Sequence, residues 1–229
     1  LLSMRDPGKR FDTLAATRPG QINFGLYRPS PADNWGGSRD TGYEFNWAKS
    51  GAVAANQTMM KVIGFPSLPV TAFGSDYAST QTNGLVTQVS SNQVDTVFVG
   101  VGANDFYFRT NWLDGAGNAT PIPLEQLNLP AAVTDVTNGI LYAIDSALNA
   151  GNPRVLVATV HVRDEAFTDA RSVAITAAAG QVNSNLQQAV ATRAANGKAI
   201  AMVDLWGWST DPLDPHQRNP DGSFSVGGL

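Results

Sequence analysis

Apolar and polar positions alternate in blocks along this chain, and the clearest blocks lie between Val94 and Leu205. Val94-Asp95-Thr96-Val97-Phe98-Val99-Gly100-Val101 is a nearly continuous β-branched and aromatic run that stops at Gly102. Such a run predicts a strand buried on both faces, as in a parallel sheet. From Ala132 to Asn149, Val133, Val136, Ile140, Ala143, Ile144 and Leu148 recur at spacings of three and four. That spacing predicts one apolar helix face, closed by Gly151 and Pro153. Arg154 to Val160 predicts a second buried strand. Ala170 to Ala195 predicts a second long helix, with Val182, Leu186, Ala189 and Val190 inward and Gly197 as its stop. Ala199 to Asp204 predicts a third strand.

Strand, helix, strand, helix, strand implies an α/β domain with a doubly wound parallel sheet and right-handed crossovers. Upstream, Tyr43 to Ala48 reads as a shorter strand, and the Ala-rich stretch after Ser50-Gly51 reads as a helix start. A helix over about Gly84 to Ser91 leads into Val94. Arg18 to Thr41 is rich in Pro, Gly and Asn and reads as loop. After Leu205 no periodicity survives, and Pro212, Pro215 and Pro220 punctuate the tail. No internal repeat or second domain is visible, so residues 1–229 read as one domain.

Composition narrows the function classes. Charged residues are only 15% of the chain, below the roughly 25% of average soluble domains, which suits a compact, loop-rich protein. A net charge of −4 without clusters of Lys and Arg excludes a nucleic-acid footprint. No apolar run approaches the roughly 20 residues of a membrane-spanning helix. The absence of cysteine excludes disulfides, thiolate metal sites and cysteine nucleophiles. It leaves the compartment open, with an exported setting favoured. Leu1-Leu2-Ser3-Met4-Arg5-Asp6 lacks the basic and apolar regions of a signal peptide. A chain with such a start, ending at Gly227-Gly228-Leu229, is expected to be incomplete at both ends.

In open parallel sheets ligands bind beyond the carboxyl ends of the strands. Gly102-Ala103-Asn104-Asp105 lies there, either as a helix cap or Asx turn or as part of a site. With its preceding strand it resembles the G-x-N-D block of the SGNH (GDSL-type) hydrolases. That resemblance implies that the Asn104 amide donates to the oxyanion formed when an ester is attacked, where a fixed donor lowers the barrier. Asn46-Trp47-Ala48-Lys49-Ser50-Gly51-Ala52 resembles the block in which a glycine after a strand gives its backbone N–H to the same oxyanion. Gly51 inherits that role. Taken alone, it is an ordinary glycine at a strand–helix turn. With Gly84 to Val89 between these blocks and Ala201 to Gly207 after them, the resemblance covers about Arg18 to Leu229.

The resemblance implies a flavodoxin-like three-layer fold with sheet order 2-1-3-4-5 and an acyl-enzyme mechanism without metal or other cofactor. Its substrate would be a small-molecule, glycan or lipid ester. This sequence departs from the family where the chemistry is most demanding. No Gly-Asp-Ser nucleophile block occurs, and Ser3 has no strand before it. Asp211-Pro212-Leu213-Asp214-Pro215-His216 lacks the Asp-x-x-His spacing, so His216 is not assigned as the base. Strand 1 is therefore expected to be missing between the Tyr43 and Val94 strands, leaving them roughly 10 Å apart. The chain is expected to be inactive by itself. A non-catalytic binding domain that kept the fold is the alternative.

Four other features have weaker functional readings. His161 is a loop histidine or a substrate-side contact. Ser50 resembles a nucleophile elbow only faintly, lacking the glycine two positions earlier. Asp114-Gly115-Ala116-Gly117-Asn118 reads as a loop rather than a calcium site. Trp206 and Trp208 suggest core or lid packing before a sugar-stacking surface.

Overall fold

A computed structural model describes residues 27–28, 42–43, 52–64, 66–69, 78–114, 116, 118–162 and 169–204. In chain order these give β1 (Tyr27–Arg28), β2 (Gly42–Tyr43), β3 (Met59–Val62), β4 (Leu68–Pro69), α1 (Ala78–Ser90), β5 (Thr96–Val99) and α2 (Ala103–Thr110). There follow β6 (Asn111–Leu113), β7 (Ala119–Pro121), α3 (Leu129–Gly151), β8 (Arg154–Ala158), α4 (Ala170–Ala195) and β9 (Ile200–Val203). The result is an α/β protein with one parallel sheet, one mixed sheet and a small antiparallel pair.

The parallel sheet has the order β5-β8-β9, with Val97 opposite Val155 and Val155 opposite Ile200. Backbone bonds from Arg154 to the Asp95 carbonyl and from Thr159 to the Val203 carbonyl, 2.9 and 3.0 Å, carry the ladders past the strand ends. The connection from β5 to β8 passes through α2, β6 and β7 before the long helix α3, and α4 lies between β8 and β9. Asn128 caps α3 by accepting the Ala131 N–H, and Asn152, in the left-handed region at φ 57°, ends it. Asp169 caps α4 by accepting the Ser172 N–H at 2.7 Å. Arg193 of α4 grips Asp145 of α3 with two 2.7 Å bonds, fixing the helices against each other.

Side chains alternate across the sheet. Val97, Val99, Val155, Val157 and Ile200 enter a core with Val136, Ile140 and Ile144 of α3, Val182 and Leu186 of α4, and Val89 of α1. The intervening row points the other way. Phe98 is 58% exposed and Leu156 36%, and the neighbouring Ala201 is exposed. The described helices therefore cover one face of this sheet.

The three strands and both long helices lie where the sequence places them, α4 residue for residue, but β5 and β8 are not buried on both faces as expected: Phe98 and Leu156 are exposed on the face that the described helices leave uncovered. Three further expectations need correction. The Ala-rich stretch after Gly51 is no helix: residues 52–58 form a bend, a turn and a single bridge at Val53. The helix before β5 begins at Ala78 instead of about Gly84. Within the stretch expected to be loop, Tyr27–Arg28 pairs with Gly42–Tyr43. The mixed sheet, order β4-β3-β6-β7, was not expected. Among the described residues β5 has β8 as its one ladder partner, and no ladder joins it to β2. Residues 44–48 of the expected Tyr43 strand lie outside the described residues.

Candidate functional site

The site is built where β5 hands over to α2. Gly102 makes the turn at φ 118°, a conformation that a side chain disfavours. A Cβ there would also sit 3.0 Å from Val160 and 3.2 Å from Val136. The turn places Asn104 and Asp105 in the first turn of α2, at the carboxyl end of the sheet.

Asn104 is half-buried, and its Nδ2 donates to the carbonyl oxygen of Ala52 at 3.0 Å, across 52 residues of sequence. A carbonyl only accepts, so this bond fixes which end of the amide faces Ala52 and stops its rotation. The second N–H of the amide has no partner among the described residues. Gly51, the other expected donor, lies outside the described residues, although its chain neighbour Ala52 is the residue Asn104 holds.

Asp105 is fully buried. Its Oδ2 accepts the Ala54 N–H at 2.7 Å, and its Oδ1 accepts the Ala55 N–H at 3.0 Å and the Thr58 hydroxyl at 2.6 Å. Thr58 accepts in turn from Arg109 Nε at 3.2 Å, and Arg109 Nη2 reaches Asp135 at 3.0 Å. Burial pushes the Asp105 carboxyl above its ordinary value, while the bonds from Thr58, Ala54 and Ala55 and the charge of Arg109 oppose it.

Beside α2 lies a cavity of about 180 Å³, walled by Ala103, Phe106, Tyr107, Val162, Arg171 and Ile175 among others. Arg171 holds its rim together, with Nε on the Ile122 carbonyl at 2.9 Å and Nη2 on the Thr110 carbonyl at 2.5 Å. His161 is half-buried just past β8, between the buried Val160 and Val162. Asp114 closes the β6–β7 hairpin, its Oδ1 taking the N–H groups of Ala116 and Asn118 at 2.9 and 2.8 Å. The expected loop is therefore what this turn forms. Ser3, Ser50, Trp206, Trp208 and His216 lie outside the described residues.

Sequence reasoning singled out Asn104 but missed Thr58, Arg109 and Asp135. The Gly-x-Asn-Asp stretch contains Asp105, yet nothing in it indicates a partner 47 residues earlier. Comparison with protein-family models, with curated proteins and with solved structures found no match for this chain.

Proposed function

We propose that this chain carries the oxyanion-binding part of a carboxylic ester hydrolase similar to the SGNH type. One observation supports the reading: the Asn104 amide is bonded to the carbonyl of Ala52, the residue that follows Gly51 in the sequence. The parallel strands β5, β8 and β9 and the residues beyond their carboxyl ends suit the family's three-layer sandwich, in which they would be strands 3, 4 and 5.

In this reading the histidine of the flanking sequence takes the serine hydroxyl proton as the serine oxygen attacks the ester carbonyl carbon, and the carbonyl π electrons move onto its oxygen. The second N–H of Asn104 and the backbone N–H of Gly51 bind that oxyanion. Collapse of the intermediate expels the alcohol, to whose departing oxygen the same histidine returns that proton. It leaves an acyl-enzyme, which water hydrolyses. The cavity beside Ala103 offers space for a group about the size of benzene, given that engineered cavities near 150 Å³ hold one. No metal or other cofactor takes part. The family's nucleophile and acid–histidine blocks have no counterpart in residues 1–229, so the reading assigns them to flanking sequence.

The test uses the full-length gene product and a simple aryl ester. Asn104→Ala should lower kcat by about 10²–10³ with little loss of folding. Near-wild-type turnover by that variant would remove Asn104 from the mechanism. Residues 1–229 alone should not be labelled by a fluorophosphonate, whereas labelling at Ser3 or Ser50 would relocate the nucleophile. A full-length protein with neither labelling nor turnover would be a binding domain on this fold.

A further inference from the structure

We infer that Asp105 and Gly139 are positioning residues that clamp the backbone of residues 52–58 from two sides, fixing the carbonyl that orients Asn104. The inference rests on the proposed hydrolytic reading for its catalytic consequence, and on packing alone for the clamp itself.

Ala52, Val53, Ala54 and Ala55 are 7%, 0%, 3% and 1% exposed, yet they belong to no helix and to no ladder beyond one bridge. Buried backbone outside regular structure must find partners for its N–H groups. The Asp105 carboxylate supplies them, taking two consecutive N–H groups and the hydroxyl that ends the turn. That turn is closed by the Thr58 N–H on the Ala55 carbonyl at 3.0 Å. From the other side α3 presses so closely that a Cβ on Gly139 would lie 2.1 Å from the Ala54 carbonyl oxygen. No side chain fits there unless the backbone moves. The segment is thus caught between a carboxylate and a bare stretch of helix. Ala52, whose carbonyl Asn104 holds, is two residues from the gripped Ala54.

Because Asp105 is fully buried, Thr58→Val is the gentler probe, removing the hydroxyl at nearly constant shape. In the full-length protein acting on an aryl ester, Thr58→Val and Gly139→Ala should each lower kcat about 10- to 100-fold while KM stays within about twofold. Thr58→Ser should recover most of the loss. In an Asn104→Ala background both substitutions should cost much less, because they act through that amide. Unchanged kcat, or losses that simply add to that of Asn104→Ala, would overturn the catalytic role. Amide hydrogen exchange judges the clamp separately, even in a protein without turnover. The Ala54 and Ala55 N–H groups should exchange at least tenfold faster in Thr58→Val. Exchange at the wild-type rate would overturn the clamp, whereas faster exchange without ester turnover would overturn only the hydrolytic reading.

Discussion

Asn183 holds Val160 as a neighbouring strand would, accepting its N–H on Oδ1 at 2.7 Å and donating from Nδ2 to its carbonyl at 3.0 Å. The side chain comes from α4, so the helix that crosses from β8 to β9 also fixes the direction in which the chain leaves β8. His161 is the next residue, and Val160 packs against the turn at Gly102. One amide thereby couples the exit of β8 to the start of α2.

Asn183→Ala should leave both Val160 groups without their partner and lower stability by about 2–3 kcal/mol. Urea unfolding followed by circular dichroism measures this, and the slope should stay constant while the midpoint falls. A change below about 0.5 kcal/mol would mean that water replaces both bonds at little cost.

Two glycines with positive φ should respond differently to alanine. At Gly102, φ 118° combines with close contacts to Val160, Val136 and Ile140, so strain and overpacking add. Gly102→Ala should cost about 2–5 kcal/mol. At Gly197, φ is 80° and no atom lies within 4 Å of the added Cβ, so only the backbone term of about 1–2 kcal/mol applies. Equal losses at the two sites would show that the packing around Gly102 yields freely.

Acid titration should reveal two aspartates acting with opposite sign. Asp169, its pKa lowered chiefly by the Ser172 N–H, contributes stability that is full above about 3.8 and lost as pH falls through the lowered value. The advantage of wild type over Asp169→Asn should therefore shrink on acidification below about 3.8. Asp105 has its pKa raised by burial, so its contribution is full below about 3.8 and is lost as pH climbs through the raised value. Relative to Asp105→Asn, wild type should lose ground as pH rises. Urea midpoints measured across the acid range test both, and the same slope for the two pairs would contradict the opposed environments.

How much was legible in the sequence depended on how local the cause was. The strands through Val97 and Val155 declare themselves because their apolar runs are rich in β-branched residues, although the same runs misstate their burial, since Phe98 and Leu156 face outward. Helix α3 declares itself through its stripe of Val136, Ile140 and Ile144. The first turns of α1 are Ala78-Ser79-Thr80-Gln81-Thr82-Asn83, too polar to show a period, so its start was placed six residues late. Residues 52–55 were misread because alanine favours helix, whereas here a carboxylate about 50 residues away claims the N–H groups of Ala54 and Ala55. The mixed sheet escaped notice because β6 and β7 have only three residues each. In the candidate site, Asn104 stands out through a motif, while Thr58 and Gly139 enter through contacts that only the folded chain creates.

The outward row of Phe98, Leu156 and Ala201 affects how this chain is best assayed. Environment-sensitive dyes fluoresce on accessible apolar surface, and their signal is commonly used as a gauge of lost tertiary packing. Residues 1–229 should therefore give bright dye fluorescence while fully folded, with a high baseline and a shallow rise on heating. A screen that ranks preparations by low initial fluorescence would discard folded samples of this protein. Ellipticity or backbone exchange is the sounder measure of its folded fraction.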